Sequence, residues 1–191
     1  MSTAVVMQPM APSSPRRNAR IAGVFYLLNI IAGISALFLR GPLGVAVGMA
    51  TGGFYIAVTL FFYSIFKPVS RSLSLLAASV SLAGIANGPV GMLHLLPFRL
   101  HSLALFGVYC LLLAYLIYRC TFLPRVLGVL MAFAGAGWLT FLFPSFAKSL
   151  VPYIYIPGVI GEGSLTLWLL IVGLNEQRWR EKNNGGRYDI G

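Results

Sequence analysis

From Ile21 onward the chain alternates long uncharged apolar runs with short joints that hold nearly all of its charge. The runs lie at 21–39, 43–66, 72–98, 102–118, 126–143 and 153–174. A soluble helix carries its apolar positions as one stripe, whereas these blocks are apolar all round, a pattern that selects hydrocarbon as the solvent. At 1.5 Å per residue the first run reaches roughly 28 Å, close to the thickness of a bilayer core. The pattern predicts an all-α polytopic membrane protein with six transmembrane helices in one bundle. Residues 1–20, where Pro9, Pro12 and Pro15 precede Arg16, Arg17 and Arg20, read as a disordered basic arm, and 175–191 as a polar tail. The arm is long for a signal-peptide head and no small-residue cleavage site follows the first run, so that run is expected to stay attached.

Composition sharpens this picture. Hydrophobic residues make up 58% of the 191 positions and charged ones 9%, where soluble domains average about 25% charged. A formal charge of +10 raises the question of nucleic acid. The basic residues sit at the block boundaries with no stacking aromatics between them. They read as topology signals and contacts for anionic lipid headgroups, with no nucleic-acid partner.

Their distribution predicts an orientation. Arg16, Arg17, Arg20, Lys67, Arg71, Arg119, Arg125, Arg178, Arg180, Lys182 and Arg187 fall on one side of the predicted spans, against Arg40, Arg99 and Lys148 on the other. Positive loops stay in the cytoplasm, so both ends are expected inside.

Helices in lipid associate through close contact at small residues. Gly44, Gly48 and Gly52 recur every four residues on the second run, as Gly84 and Gly88 do on the third, and these are the expected packing ridges. Pro89 and Pro157 fall inside runs, where each is expected to kink its helix.

Candidate chemistry is sparse. Glu162 is the one acidic residue within any run. A carboxylate at mid-membrane costs roughly 3 kcal/mol on insertion scales, so it should face protein or a water-filled cavity. Counting from the ends of the runs puts Asn29, Asn87 and Glu162 at one depth, a possible buried polar cluster. One reading is glue that fixes helix rotation; the other is a proton or ligand site in a transport path. His94 shares a face with Asn87, at an i, i+7 spacing, and joins the candidates as an interfacial group.

Cys110 and Cys120 suit neither a disulfide nor a metal, and Cys120 is either a small apolar residue or a juxtamembrane acylation site. With no phosphate loop, no catalytic triad and no zinc-binding pattern, neither enzyme activity nor a cofactor is expected. A small structural or carrier-like bundle is the first reading, with a proton- or cation-coupled small-molecule transporter as the alternative.

Three stretches carry a family resemblance: Arg20-Ile21-Ala22-Gly23, Leu123-Pro124-Arg125-Val126-Leu127-Gly128, and the segment from Gly161-Glu162 through Trp168 to Gly173. Together they resemble the bacterial six-span membrane family described as domain of unknown function 4386. The resemblance implies six helices in a bacterial cytoplasmic membrane and brings no activity or site residues. The chain departs from the expected pattern in having only Arg40-Gly41-Pro42 between the first two runs.

Overall fold

A computed structural model of the chain describes residues 14–92 and 102–185. Its helices are α1 (Pro15–Phe38), α2 (Gly41–Phe66), α3 (Arg71–Met92), α4 (Ser102–Arg119), α5 (Arg125–Leu139), the short α6 (Pro144–Ser149), α7 (Ile156–Ile171) and α8 (Glu176–Gly185). Single 3-10 turns at Thr140–Leu142 and Tyr153–Tyr155 flank α6. Pro15, Pro42, Pro144 and Pro157 each occupy the first or second position of a helix, where a missing N–H costs nothing. Pro157 therefore starts α7 instead of kinking it, contrary to the sequence expectation.

The six long helices close into a ring. Contacts run from α1 to α2, α3, α4 and α5, then to α7, and from α7 back to α1. Tyr26, Val58, Leu113, Met131 and Leu165 fill its interior with essentially no exposure. The outside is also apolar: Ile31, Leu60, Leu75, Val129, Phe133 and Leu167 are about half exposed. Water-soluble monomers rarely present so continuous an apolar girdle. Among the described residues, five helices are long and apolar enough to cross a membrane: Pro15–Ala36, Gly41–Phe66, Ser102–Arg119, Arg125–Leu142 and Tyr153–Ile171. The protein is a helical, multi-pass membrane protein. The remaining member of the ring, α3, is diluted by Ser72, Ser74, Ser79, Ser81 and Asn87, yet its outward residues Leu75, Leu76 and Leu82 are exposed like those of its neighbours.

The basic joints gather at one end of the ring. Gly173, at φ +77°, terminates α7, and the loose carbonyls of Ile171 and Val172 accept hydrogen bonds from Arg20 and from Arg16 Nε, both at 3.2 Å. Cations at a helix C-terminus are favoured by its dipole. This contact explains why residues 15–20 are the first turns of α1, although the sequence expectation placed them in a disordered arm. The described part of the polar tail forms α8, which is tied to the ring: Trp179 Nε1 donates to Ile65 O at 2.9 Å, Arg178 to Thr121 O at 3.2 Å, and Asn175 N to Phe122 O at 3.1 Å. Arg119 and Arg125 lie over the rings of Tyr115 and Tyr118 at this same end.

The close helix contacts differ from the expected glycine ridges. A Cβ on Gly48 meets nothing within 4 Å, one on Gly44 meets Leu39 O of the preceding turn, and one on Gly52 makes only ordinary contact with Ile85. Gly84 faces Leu105 and Ser102 of α4 at ordinary distance. The side-chain position of Gly88 lies outside the described residues. Backbone-to-backbone approach occurs instead between α4 and α5, where a Cβ on Gly107 falls 2.9 Å from Gly135 O and one on Gly128 falls 2.9 Å from Ala114 O. Between α5 and α7, a Cβ on Gly161 falls 2.7 Å from Ala134 Cβ. A regular four-residue spacing marks a smooth helix face, but only the partner helix decides whether that face is used.

Candidate functional site: a carboxyl inside the helix ring

Gly158 and Gly161 press α7 onto α5 so closely that a Cβ on Gly158 would lie 2.8 Å from Trp138 Cε2. The next residue, Glu162, is thereby turned inward between α5 and α1, and is only 7% exposed. Its Oε1 accepts a hydrogen bond from Trp138 Nε1 at 2.7 Å, and its Oε2 one from the Tyr26 hydroxyl at 3.1 Å. One acid on α7 is thus tied to both neighbours in the ring.

Aromatic rings from four helices surround it. Tyr26 packs edge-on against Tyr55 at 6.2 Å and Phe62 at 5.8 Å. Tyr55 meets Phe106 at 5.2 Å and Tyr109 at 5.9 Å, and Phe106 reaches Trp138 at 5.7 Å, closing the series. The hydroxyls of Tyr55, Tyr109 and Thr166 are buried and have no hydrogen-bond partner among the described residues. Buried polar groups are normally paired, so the hydroxyls of Tyr55 and Tyr109, whose rings lie 5.9 Å apart, mark spare hydrogen-bonding capacity. Beside them Thr59 Oγ1 and Ser81 Oγ lie 2.7 Å apart, linking α2 to α3.

The expected polar cluster does not form. Asn87 donates to Ser102 Oγ at 3.2 Å, and since Ser102 opens α4 this contact lies towards the end of the ring opposite the basic joints. Asn29 leaves its buried Oδ1 without a partner among the described residues. The partner of Glu162 on α1 is Tyr26, three residues earlier. The reason is the earlier start of α1: the middle of Pro15–Phe38 falls between Tyr26 and Leu27, whereas the middle of 21–39 falls beside Asn29. His94 lies outside the described residues.

Tyr26 and Trp138 were not singled out from the sequence, although a signal exists. Tyrosine and tryptophan in membrane helices favour the interfaces, so Tyr55 and Tyr109, near the middle of their runs, are out of place and point to the aromatic group that Tyr26 and Trp138 complete. Cys110 and Cys120 are buried free thiols. Burial pushes the Cys120 thiol above its usual range, which leaves the acylation reading without an accessible thiolate. Among the described residues no group of His, Cys, Asp and Glu is placed to hold a metal.

Comparison with known proteins covers much of this site. Residues 98–173 match the family model described as Domain of unknown function (DUF4386). The matched DUF4386 segment carries α4, α5 and α7 with Trp138 and Glu162, while Tyr26 lies outside it. An uncharacterized protein of Archaeoglobus fulgidus is 28% identical over 165 residues, covering 80% of this chain and 93% of that protein. No solved structure matches the chain.

Proposed function

We propose that this is a six-span, carrier-like membrane protein with its basic end and both termini in the cytoplasm, in which Glu162 is the proton-exchanging group. The asymmetry of the two bonds to Glu162 carries the reading. An indole N–H can only donate, so Trp138 pins Oε1 as an acceptor. A phenol can donate or accept, so the Tyr26 hydroxyl can reverse when a proton arrives on Oε2. Glu162 can then gain and lose a proton without losing a hydrogen bond. When Tyr26 reverses, its own proton needs an acceptor, and the unpaired hydroxyls of Tyr55 and Tyr109 supply the next sites. An ionisable residue inside a membrane is by default a functional-site candidate. Among the described residues the groups facing it are Tyr26 from α1, Tyr55 from α2 and Tyr109 with Cys110 from α4, with Trp138 from α5, and no cation is among them. The reading assigns no reaction and no cofactor.

Infrared difference spectra of the reconstituted protein after a pH step test this. A carboxylic-acid band that appears in the wild type and is missing from Glu162→Gln is the expected result. Identical spectra for the two proteins overturn the proposal. Reporter fusions at the two termini test the topology, and reporters on opposite faces overturn it.

A second reading, a structural clasp, draws on the bonds from Glu162 to both α5 and α1. It predicts that Glu162→Gln leaves solute or proton uptake by proteoliposomes unchanged and that Glu162→Leu lowers stability alone.

A further inference from the structure

At the basic end, a cleft of about 570 Å³ opens between the start of α1, the α4–α5 joint and the α7–α8 joint. Arg16 and Arg178 line it together with Thr121, Trp168, Leu123 and Val172. Each guanidinium is held in place by a backbone carbonyl, Arg16 through Nε on Val172 O and Arg178 through NH1 on Thr121 O. A guanidinium has five N–H donors, so most of each fork remains to receive an acceptor. Among the described residues the one carboxylate on the cleft, Glu176, is paired with Arg180.

The surroundings say what kind of acceptor fits. Ile171 and Val172, beside the cleft, are exposed on the apolar outside of the ring. Trp168 lines the cleft at the level where the Arg-Tyr pairs of α4 and α5 mark the end of the apolar girdle, and tryptophan is enriched at that depth in membranes. Two oriented guanidiniums beside an indole and an apolar ledge match a phosphodiester whose acyl chains lie against the protein.

We propose that this cleft is a binding site for the headgroup of an anionic phospholipid, held by Arg16 and Arg178. The proposal rests on the membrane reading of the ring and is independent of Glu162.

Native mass spectrometry of the full chain in detergent, supplied with phosphatidylglycerol or phosphatidylcholine, tests it. The wild type is expected to retain one phosphatidylglycerol in preference to phosphatidylcholine. Arg16→Gln with Arg178→Gln should weaken retention about tenfold or more, as expected for losing charge-assisted hydrogen bonds. Lys67→Gln with Arg71→Gln removes the same charge from the same end outside the cleft and should leave retention near the wild-type level. Because the two arginines also hold carbonyls, Thr121→Trp provides a charge-neutral variant that fills the cleft at an exposed position, and it too should reduce retention. Equal loss in the two charge-matched pairs, or equal retention of both lipids, overturns the proposal. Competition by soluble glycerol phosphate at the same concentration as the lipid also overturns it, since the acyl ledge would then contribute nothing. Glu162→Gln should keep its lipid, so failure of the proton-exchange reading and failure of this one are told apart.

Discussion

Trp138 Nε1 donates to Glu162 Oε1 at 2.7 Å, joining α5 to α7 at the point where Gly158 and Gly161 bring the two helices together. Trp138→Phe keeps most of the aromatic packing and removes the donor. A buried oxygen left without its partner costs about 1–3 kcal/mol. Unfolding of the detergent-solubilised variant should show a loss of that size, and Glu162→Leu with Trp138→Phe should recover part of it because both polar partners are then gone.

Glycines that look alike in sequence should respond in opposite ways. Gly161→Ala forces a methyl against Ala134 Cβ and the Leu130 carbonyl, an overpacking cost of roughly 1–3 kcal/mol. Gly48→Ala meets nothing within 4 Å and should gain up to about 1 kcal/mol from helix propensity. Melting both variants in one detergent checks the pair, and equal effects would remove the α5–α7 contact as the close one.

The Thr59–Ser81 bond is a polar link between α2 and α3. Thr59 also donates to Tyr55 O at 2.8 Å, so Ser81→Ala leaves it satisfied. The expected loss is small, about 0.6 kcal/mol, the average for such bonds in membrane helices. Thermal denaturation of Ser81→Ala beside Ser81→Val separates this bond from the packing of α3, since only the second variant adds bulk.

Docking of α8 should depend on acidity. Hydrogen bonds from Arg180 and Ser14, with the guanidinium charge, hold the Glu176 carboxyl below the usual carboxylate range. A group depressed in the folded state contributes fully above its unfolded value, about 4, and its contribution is lost as pH falls through the folded value. Protection factors along α8, taken relative to the intrinsic exchange rate at each pH, should therefore fall below about pH 4. Arg180→Gln should flatten that dependence, and an unchanged profile would count against the ion pair as its cause.

The sequence by itself determined the solvent, the number of long helices and the gathering of basic joints at one end. These follow from runs of apolar residues and from where the charges interrupt them, which are local properties of the chain. It also identified Glu162, because a lone acid within an apolar run is conspicuous whatever surrounds it. Tertiary structure alone decided its partners. Which residues share a depth depends on where each helix starts, and α1 starts at Pro15, where Arg16 and Arg20 reach the end of α7. That shift moved Tyr26, and not Asn29, opposite the acid. Which glycines touch depends likewise on how each helix is rotated about its axis, and rotation is set by the facing side chains of another helix far away in the chain.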